Sequence, residues 1–475
     1  MPLGWALDNA PMSALHLRFW LLAGLGILLD GFDFFIIAVA NPLIKRDFHV
    51  TATQVGLVSA AAIVGAVFGA SLLGPLGDRF GRSRIFQFDL ALFVVFSLLC
   101  IVAWNVWALF CFRFMLGLAI GLDYPIAASY LAEVLPAKDR GRWLIGAFSL
   151  QAGGIVLGAA TGLVILEVLP HVWAWRVMLG FGAIPAIAIM FLRRGVPESP
   201  RWLAQNGREQ EAQDVGNRLS PVPVLITAAD TERKEPQPEG LKAFIQPRLF
   251  RRSLIRRTIL TAVPWFLMDV ATYGVGIFTP TLLAAIVAKG ANTTFIADDI
   301  AATRGTALLD IFLVAGFVIA IVLVERVGRI RLQITGFAVM AIALSILALA
   351  EGLPGGGNAH LELVIVGFVL FNTFMNAGPN STTYALPAEV FPSEVRAAGH
   401  GFAAGCAKLG AAIGVFLFPI LQGSIGNSAL LYIISGGRLV GLLVTVLFRV
   451  EPKGRSLEDV TAVARTEITD GTVIV

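Results

Sequence analysis

Four aspartates stand in stretches of this 475-residue chain that otherwise read as hydrocarbon: Asp30 and Asp33 in LLDGFDFFIIAV, Asp123 in GLAIGLDYPIAASY and Asp269 in VPWFLMDVATYGVG. An ionised side chain at the centre of a bilayer costs roughly 2.5–3.5 kcal/mol or more, so such groups face a partner or a wet cavity. Their spacing of three puts Asp30 and Asp33 on one helix face. Trp265, Asp269 and Tyr273 follow in steps of four, each turned about 40° from the last, and so form one stripe that can line one wall. Further polar groups stand in apolar runs: Tyr124 beside Asp123, Gln151 in SLQAGG, Asn380 in NAGPNSTTY and Lys408 in GCAKLGA. A carboxyl in a cavity that opens to water first on one side and then on the other can load a proton and release it.

The elements that position these residues must be membrane helices. The chain is 57% hydrophobic and 14% charged, with a mean hydropathy of +0.79, beyond what a soluble domain carries. Apolar runs near the roughly 20 residues needed to cross a bilayer recur. Twelve helices are expected, centred near residues 30, 65, 95, 120, 155 and 183, then 270, 315, 342, 372, 410 and 438. The runs are continuous rather than alternating, which excludes a barrel. The loops DRFGRSR, AKDRGR and ERVGRIR and the central RRSLIRR are basic, whereas WNVWALF, GLPGGGNAH and GSIGN carry no Lys or Arg. The positive-inside rule therefore puts both termini in the cytoplasm of a multi-pass protein of the cell membrane, with IKRD at 44–47 the exception. The first span is long enough to stay in the bilayer, so no cleavable signal peptide is expected. Cys100, Cys111 and Cys406 all fall inside expected spans and say little about redox compartment. Hydrophobicity collapses in a segment typified by TERKEPQPEGLKAF. The expected organisation is a six-helix bundle over 1–196, a cytoplasmic linker over 197–257, a second six-helix bundle over 258–450 and a tail over 451–475.

An internal repeat ties the halves together. GDRFGRSR after the second span is echoed by ERVGRIR after the eighth, and AEVLPAKDR after the fourth by AEVFPSEVR after the tenth. Parallel repeats of this kind build a rocker around a midplane site. The repeat aligns Tyr124 with Asn380, and Gln151 with Ala407 beside Lys408, so the polar groups of both halves face one shared cavity. Asp78, Arg79, Arg82 and Arg84, Glu133 with Arg140, and Glu389 with Arg396, are expected to close the basic face as a charge network that acts on transport as a gate. Arg113 is expected to pair with a neighbouring helix. Asp89 and Asp310 are expected to snorkel or pair near span ends.

These motifs resemble the major facilitator superfamily, with GDRFGRSR matching its loop signature; the resemblance implies an all-α fold of two six-helix bundles about a pseudo-two-fold axis. PESPRWLAQNGR, PAEVFPSEVR and EPKGRSLEDV are similar to the branch holding sugar porters and phosphate and organic-ion symporters. D-x-x-D in the first span, D-Y-P in the fourth, Gln151, W-x-x-x-D-x-x-x-Y, G-P-N-x-T-T and A-K-L-G-A resemble the phosphate:proton symporters. That resemblance implies that Tyr124, Gln151, Trp265, Asp269, Tyr273 and Asn380 bind phosphate and that Asp30, Asp33 and Asp123 handle protons. The DGFD form of the first motif is also similar to aromatic-acid:proton symporters, so an organic acid or a sugar stays open as the cargo.

Monobasic phosphate carries protons of its own, so it donates to a carboxylate such as Asp269 while accepting from Tyr, Trp, Gln and Asn. Sulfate has no proton to give and would be repelled. Lys408 supplies the positive charge an anion needs on leaving water, or pairs with an aspartate when the site is empty. A sugar site would want more neutral amides and fewer carboxylates, and a non-transporting receptor on the same scaffold would carry a longer tail. The chain has no metal-ligand cluster, nucleophile elbow or Walker loop. The reading is therefore a monomeric secondary transporter, not an enzyme, with no cofactor, no metal and no nucleic-acid partner. Its partners are inorganic phosphate or another small anion, protons and the lipid bilayer.

Overall fold

A backbone surrounded by hydrocarbon has to close its own hydrogen bonds, and helices do that within one segment. The computed structural model describes residues 1–70, 80–136, 140–231, 247–287, 295–391 and 396–453, together with Val460. Among these the structure is helical, with a lone bridge between Pro2 and Leu225. The first half holds α1 (Ala14–Asp47), α2 (Ala52–Phe68), α3 (Arg82–Ile101), α4 (Val106–Val134), α5 (Arg140–Val168) and α6 (Ala174–Phe181 continued by Ala183–Leu192). The second holds α7 (Arg252–Val287), α8 (Phe295–Val327), α9 (Arg329–Gly352) and α10 (Leu361–Met375 running through Asn376–Asn380 into Ser381–Val390). Arg396–Leu447 supplies the last two spans, α11 before Gly426 and α12 after it.

Ten of these helices are long and apolar enough to cross a membrane. The last of the ten reverses at Gly426, where φ is 79°, and the shorter apolar helix Thr53–Phe68 completes the twelve expected spans. In α10 the sequence NAGPN opens the helix: Pro379 has no N–H to give, and Gly378 leaves helical geometry with φ −119° and ψ −106°. A break of this kind in mid-span frees backbone groups and belongs where protein, not lipid, surrounds it.

Burial decides which helices line the interior. In α1 89% of the apolar window is inside the protein, against 39% in α3. Phe32 and the run Ile36–Ala40 are fully packed, so α1 is a central helix and α3 a peripheral one. Within each half the repeat is visible as packing: α1 lies on α5 as α7 lies on α11, and α2 on α4 as α8 on α10. The halves meet through α2 with α11, α5 with α8 and α1 with α7.

Glycines allow two of these close crossings, one in each half. A side-chain carbon on Gly154 of α5 would run into the Leu28 carbonyl of α1, and one on Gly410 of α11 into the Phe266 carbonyl of α7. Small residues at such crossings let helix backbones touch. Gly154→Leu or Gly410→Leu is therefore expected to destabilise its half by about 1–3 kcal/mol or more. A thermal-unfolding midpoint in detergent unchanged from wild type would contradict this.

Beyond the spans, Pro200–Gln205 and Glu209–Leu219 form a small helical layer after α6. The N-terminal helix Leu3–Asp8 docks on it, with Leu3 and Leu7 buried. Arg201 pairs with Asp8 at 2.7 Å, and the terminal amine donates to the Pro223 carbonyl at 2.9 Å.

Candidate functional site

The stripe on α7 runs between the halves, and Tyr273 is its meeting point. The Lys408 amine of α11 donates to the Tyr273 hydroxyl at 3.1 Å, and the Gln151 amide of α5 donates to the same oxygen at 3.5 Å. Phe34 of α1 meets the Tyr273 ring edge-on at 5.5 Å, and the Lys408 ammonium stands 5.5 Å from the Phe34 ring centre. One turn along, Asp269 is 2% exposed and its Oδ2 accepts no hydrogen bond among the described residues. Lys408 lies within electrostatic reach of both Asp269 and Asp30, so one cation bridges the two halves.

Asn380 follows the kink of α10, and its amide donates to Asn376 Oδ1 at 2.5 Å; Asn376 in turn donates to the Leu313 carbonyl at 3.1 Å. Trp265, one turn nearer the end that carries the basic loops, meets Tyr384 edge-on at 6.2 Å and His400 at 5.8 Å. Tyr124 belongs to α4, but its side chain lies outside the described residues.

The acidic residues of the first half divide into two groups. Asp33 is held by Arg113 of α4 through two parallel bonds of 3.1 and 3.3 Å, as the expected pairing of Arg113 requires. Asp30 and Asp123 instead line a cavity of about 10 Å³ together with Asp89. Asp123 also accepts from Arg193 at 3.0 Å. The Oδ2 atoms of Asp30, Asp89 and Asp123 each lack a donor among the described residues. An ionised carboxylate only accepts, whereas a protonated one donates. A proton on any of the three supplies the missing donor, which makes the cluster a place to hold one.

The structure corrects two expectations here. Asp89 does not snorkel at a span end: it is 2% exposed and belongs to this cluster. Asp310 stands in the middle of α8, 4% exposed, with an Oδ2 that finds no partner among the described residues. Its distance from either helix end leaves it no route to water by snorkelling.

Matching charge networks close the basic end of each half. Arg82 donates to Glu133 at 3.0 Å, while the N–H groups of Arg82 and Ser83, at the start of α3, donate to Glu198 at 2.9 and 3.1 Å. In the second half Arg329 binds Glu389 at 2.6 Å and Glu325 at 2.7 Å, and the N–H groups of Arg329 and Ile330 donate to Glu451 at 3.1 and 3.0 Å. Each carboxylate satisfies orphan donors at a helix N-terminus, where the dipole favours negative charge. Among the described residues Glu133 pairs with Arg82 and Glu389 with Arg329; the expected pairings were with Arg140 and Arg396. Those two side chains, and the whole of Asp78 and Arg79, lie outside the described residues. Arg84 is exposed.

The passage between the halves is packed at both ends. Near the basic end Phe148 of α5 stacks on Tyr384 of α10 at 4.5 Å, and Ile145, Val324, Leu332 and Ala385 form one apolar cluster. At the opposite end Glu167 of α5 pairs with Arg304 of α8 at 2.6 Å, and Gly56 of α2 abuts the Phe416 carbonyl and Pro419 of α11. Between these packed ends the polar groups gathered at Tyr273 and Asp269 offer one ammonium, a phenol and amides as donors and one carboxylate as acceptor. That set suits a small anion bearing its own proton. Sequence reasoning missed Arg193, Arg438, Glu198 and Glu451. Arg438 in ISGGRLVG was open to notice as a cation in an apolar run; Arg193 resembles any span-end arginine.

The model of the family described as sugar (and other) transporter matches residues 19–464. Inorganic phosphate transporter 1-6 of Oryza sativa subsp. japonica is 30% identical over 525 residues, covering 97% of this chain and 95% of that relative. Probable inorganic phosphate transporter 1-6 of Arabidopsis thaliana is 30% identical over 510 residues, covering 97% and 96%. Among solved structures, the xylose transporter XylE from E. coli, in a partially occluded inward-open conformation, aligns with a TM-score of 0.76 at 22% identity over 94% of this chain and 100% of its own. XylE bound to 6-bromo-6-deoxy-D-glucose, described as a proton:xylose symporter of the major facilitator superfamily, aligns at 0.73 and 21% over 95% and 99%.

Proposed function

The chain belongs to the sugar (and other) transporter family of the major facilitator superfamily, and on that premise we propose that it imports inorganic phosphate together with protons by alternating access. What carries the reading is the meeting of Lys408 and Gln151 on the Tyr273 hydroxyl beside a buried Asp269 with an unused oxygen. Monobasic phosphate entering there accepts from the ammonium, the phenol and the amide, and its own hydroxyl donates to Asp269. Trp265 and Asn380 complete the wall around it, and the resemblance to phosphate:proton symporters adds Tyr124. The names of the similar plant proteins support the same cargo.

In this mechanism Asp30, Asp89 and Asp123 hold the travelling proton, and Lys408 relates that store to the phosphate because its charge reaches both Asp30 and Asp269. Asp33 takes part through its fixed pair with Arg113. More than one proton per phosphate lets the anion move against an inside-negative potential worth about 2.3 kcal/mol per charge per 100 mV. The basic end is the cytoplasmic face of the cell membrane, with both termini there. The bundles over 1–196 and 258–450 rock about the site, tied by the linker 197–257 and followed by the tail 451–475. One chain supplies both halves, so a monomer suffices.

The test is uptake of radiolabelled phosphate into proteoliposomes with the outside acid. Arsenate should compete, while sulfate, glucose and an aromatic acid should not. Accumulation of glucose or an aromatic acid in place of phosphate would end the reading. A neutral sugar would bring no negative charge to Lys408 and only neutral hydroxyls to Asp269, so it would forgo the charge-assisted bonds that an anion makes.

The pairing of Glu167 with Arg304 gives a further expected result. Opening the end opposite the basic loops must separate α5 from α8. In a background with Cys100, Cys111 and Cys406 replaced by serine, Glu167→Cys with Arg304→Cys should lose uptake by roughly tenfold when the two thiols are joined by a bis-thiol reagent whose linker holds a reducible disulfide, if one tether blocks most opening events. Reduction should restore it. Full transport while the cross-link is intact would exclude this pair from the gate.

A further inference from the structure

Two arginines near the ends of the halves are placed by the repeat, and they differ in one respect. Arg193, the residue that caps α6, donates through Nε to the Leu22 carbonyl at 2.9 Å and through Nη2 to the Ala23 carbonyl at 3.3 Å. Arg438, in α12, donates through Nη2 to the Leu267 carbonyl and through Nη1 to the Met268 carbonyl, the latter at 3.3 Å. The offset from Leu22 and Ala23 to Leu267 and Met268 is the same as that from Arg193 to Arg438. In each half, then, the sixth helix grips two successive carbonyls of the first. Both guanidinium groups are buried, Arg438 to 1% exposure.

The difference lies in the third contact. Arg193 also binds Asp123 at 3.0 Å, so its charge is matched. The repeat that sets Tyr124 against Asn380 sets Asp123 against Pro379, which has no charge to offer. Arg438 makes no ion pair among the described residues, and its Nε has no hydrogen-bond partner there. The carboxylate that feels its charge is Asp269, the residue directly after the gripped carbonyls, and the other cation acting on Asp269 is Lys408.

We propose that Arg438 is a positioning residue of the transport site: it fixes the turn of α7 that carries Asp269 and stands as the permanent counter-charge to that aspartate, leaving Lys408 on Tyr273 and available to the arriving anion. The inference rests on the phosphate reading and deepens it. Lys408 is a flexible amine able to pair with Asp269 in an empty site; a fixed cation behind the aspartate removes most of the reason for it to do so. Without Arg438, Asp269 captures Lys408, and phosphate must displace a buried ion pair before it binds.

Four variants of the full chain in proteoliposomes and detergent test this. Arg438→Gln keeps an amide donor for the Leu267 carbonyl and removes the charge; Arg438→Lys keeps the charge. Arg438→Gln is expected to raise the phosphate Kd and KM by about tenfold, with kcat changed by no more than about threefold, and Arg438→Lys to recover most of the affinity. In an Asp269→Asn background, Arg438→Gln should change the phosphate Kd by less than about twofold, because no carboxylate remains to capture Lys408. An equal loss of affinity with Asp269 present or absent overturns the proposal, as does a fall in kcat at unchanged KM, or failure of Arg438→Lys to recover binding. A wild-type chain that binds no phosphate at all overturns the cargo instead; wild-type binding with an unaffected Arg438→Gln variant overturns only the role of Arg438.

Discussion

Asp269→Asn should end proton-driven accumulation of phosphate while leaving a folded protein. The carboxylate is fully enclosed on α7, and its Oδ2 accepts nothing in the described structure. That oxygen is therefore left for cargo, while the charge itself faces Lys408 and Arg438. An amide of the same shape keeps one accepting oxygen and turns the other position into a donor that faces the phosphate hydroxyl. The charge-assisted bond lost is worth about 1.5–3 kcal/mol, a factor of roughly ten to a hundred in affinity. The variant also loses a site able to exchange a proton. Two effects combine, and the accumulation ratio under an imposed pH gradient should fall to the level of empty liposomes. Asp269→Glu, which keeps the charge one methylene out of place, should retain a measurable fraction. Uptake by Asp269→Asn at the wild-type rate, with an unshifted thermal-unfolding midpoint, would remove the carboxylate from the mechanism.

The helices and the depth of the polar groups are legible in the sequence because both follow from one-dimensional facts. A run of about twenty apolar residues spans the bilayer wherever it occurs, and the offset between repeats places Gln151 and Lys408 at one level, where both reach Tyr273. The kink at NAGPN is equally local, being written in Gly378 and Pro379. What sequence does not carry is the identity of partners that are remote in the chain. Asp33 with Arg113 and Asp123 with Arg193 are contacts between helices, each free to rotate by one residue without altering its hydropathy. The spacing of Asp30 and Asp33 shows the same limit. Three residues leave about 60° between side chains, narrow enough to count as one face and wide enough to reach different neighbours. Asp30 accordingly points to the acidic cavity and Asp33 to α4. Arg193 and Arg194 are adjacent and chemically identical, yet the first is buried against Asp123 and the second is exposed over Phe191 at 4.2 Å. Only the direction in which α6 ends separates them. Glu198 and Glu451 lie in motifs plain to see, but their use as acceptors for the first N–H groups of α3 and α9 depends on loops folding back across the bundle.

The division between Asp30 and Asp33 leads to the largest expected effect on stability. Arg113 and Asp33 are almost wholly enclosed, with side-chain exposures of 1% and 4%, and are joined by two bonds. Removing one member leaves the other as a bare charge in a low-dielectric interior, which costs about 3–5 kcal/mol. Asp33→Ala should therefore lower the thermal-unfolding midpoint sharply, and Arg113→Met should do the same. The double variant Asp33→Leu with Arg113→Met removes both charges and fills the volume, so its midpoint should return close to that of the wild type. Transport then separates two roles that the single variants confuse. If Asp33 serves only to hold α1 against α4, the stable double variant should move phosphate with near-native coupling to the proton gradient. If the pair also passes the proton, the double variant should fold and bind phosphate yet fail to accumulate it. Asp30→Asn provides the control, since Asp30 makes no ion pair among the described residues and lines the acidic cavity. It should leave the midpoint within a few degrees of wild type and impair coupling, and a large loss of stability from that substitution would contradict the assignment of Asp30 to the proton store.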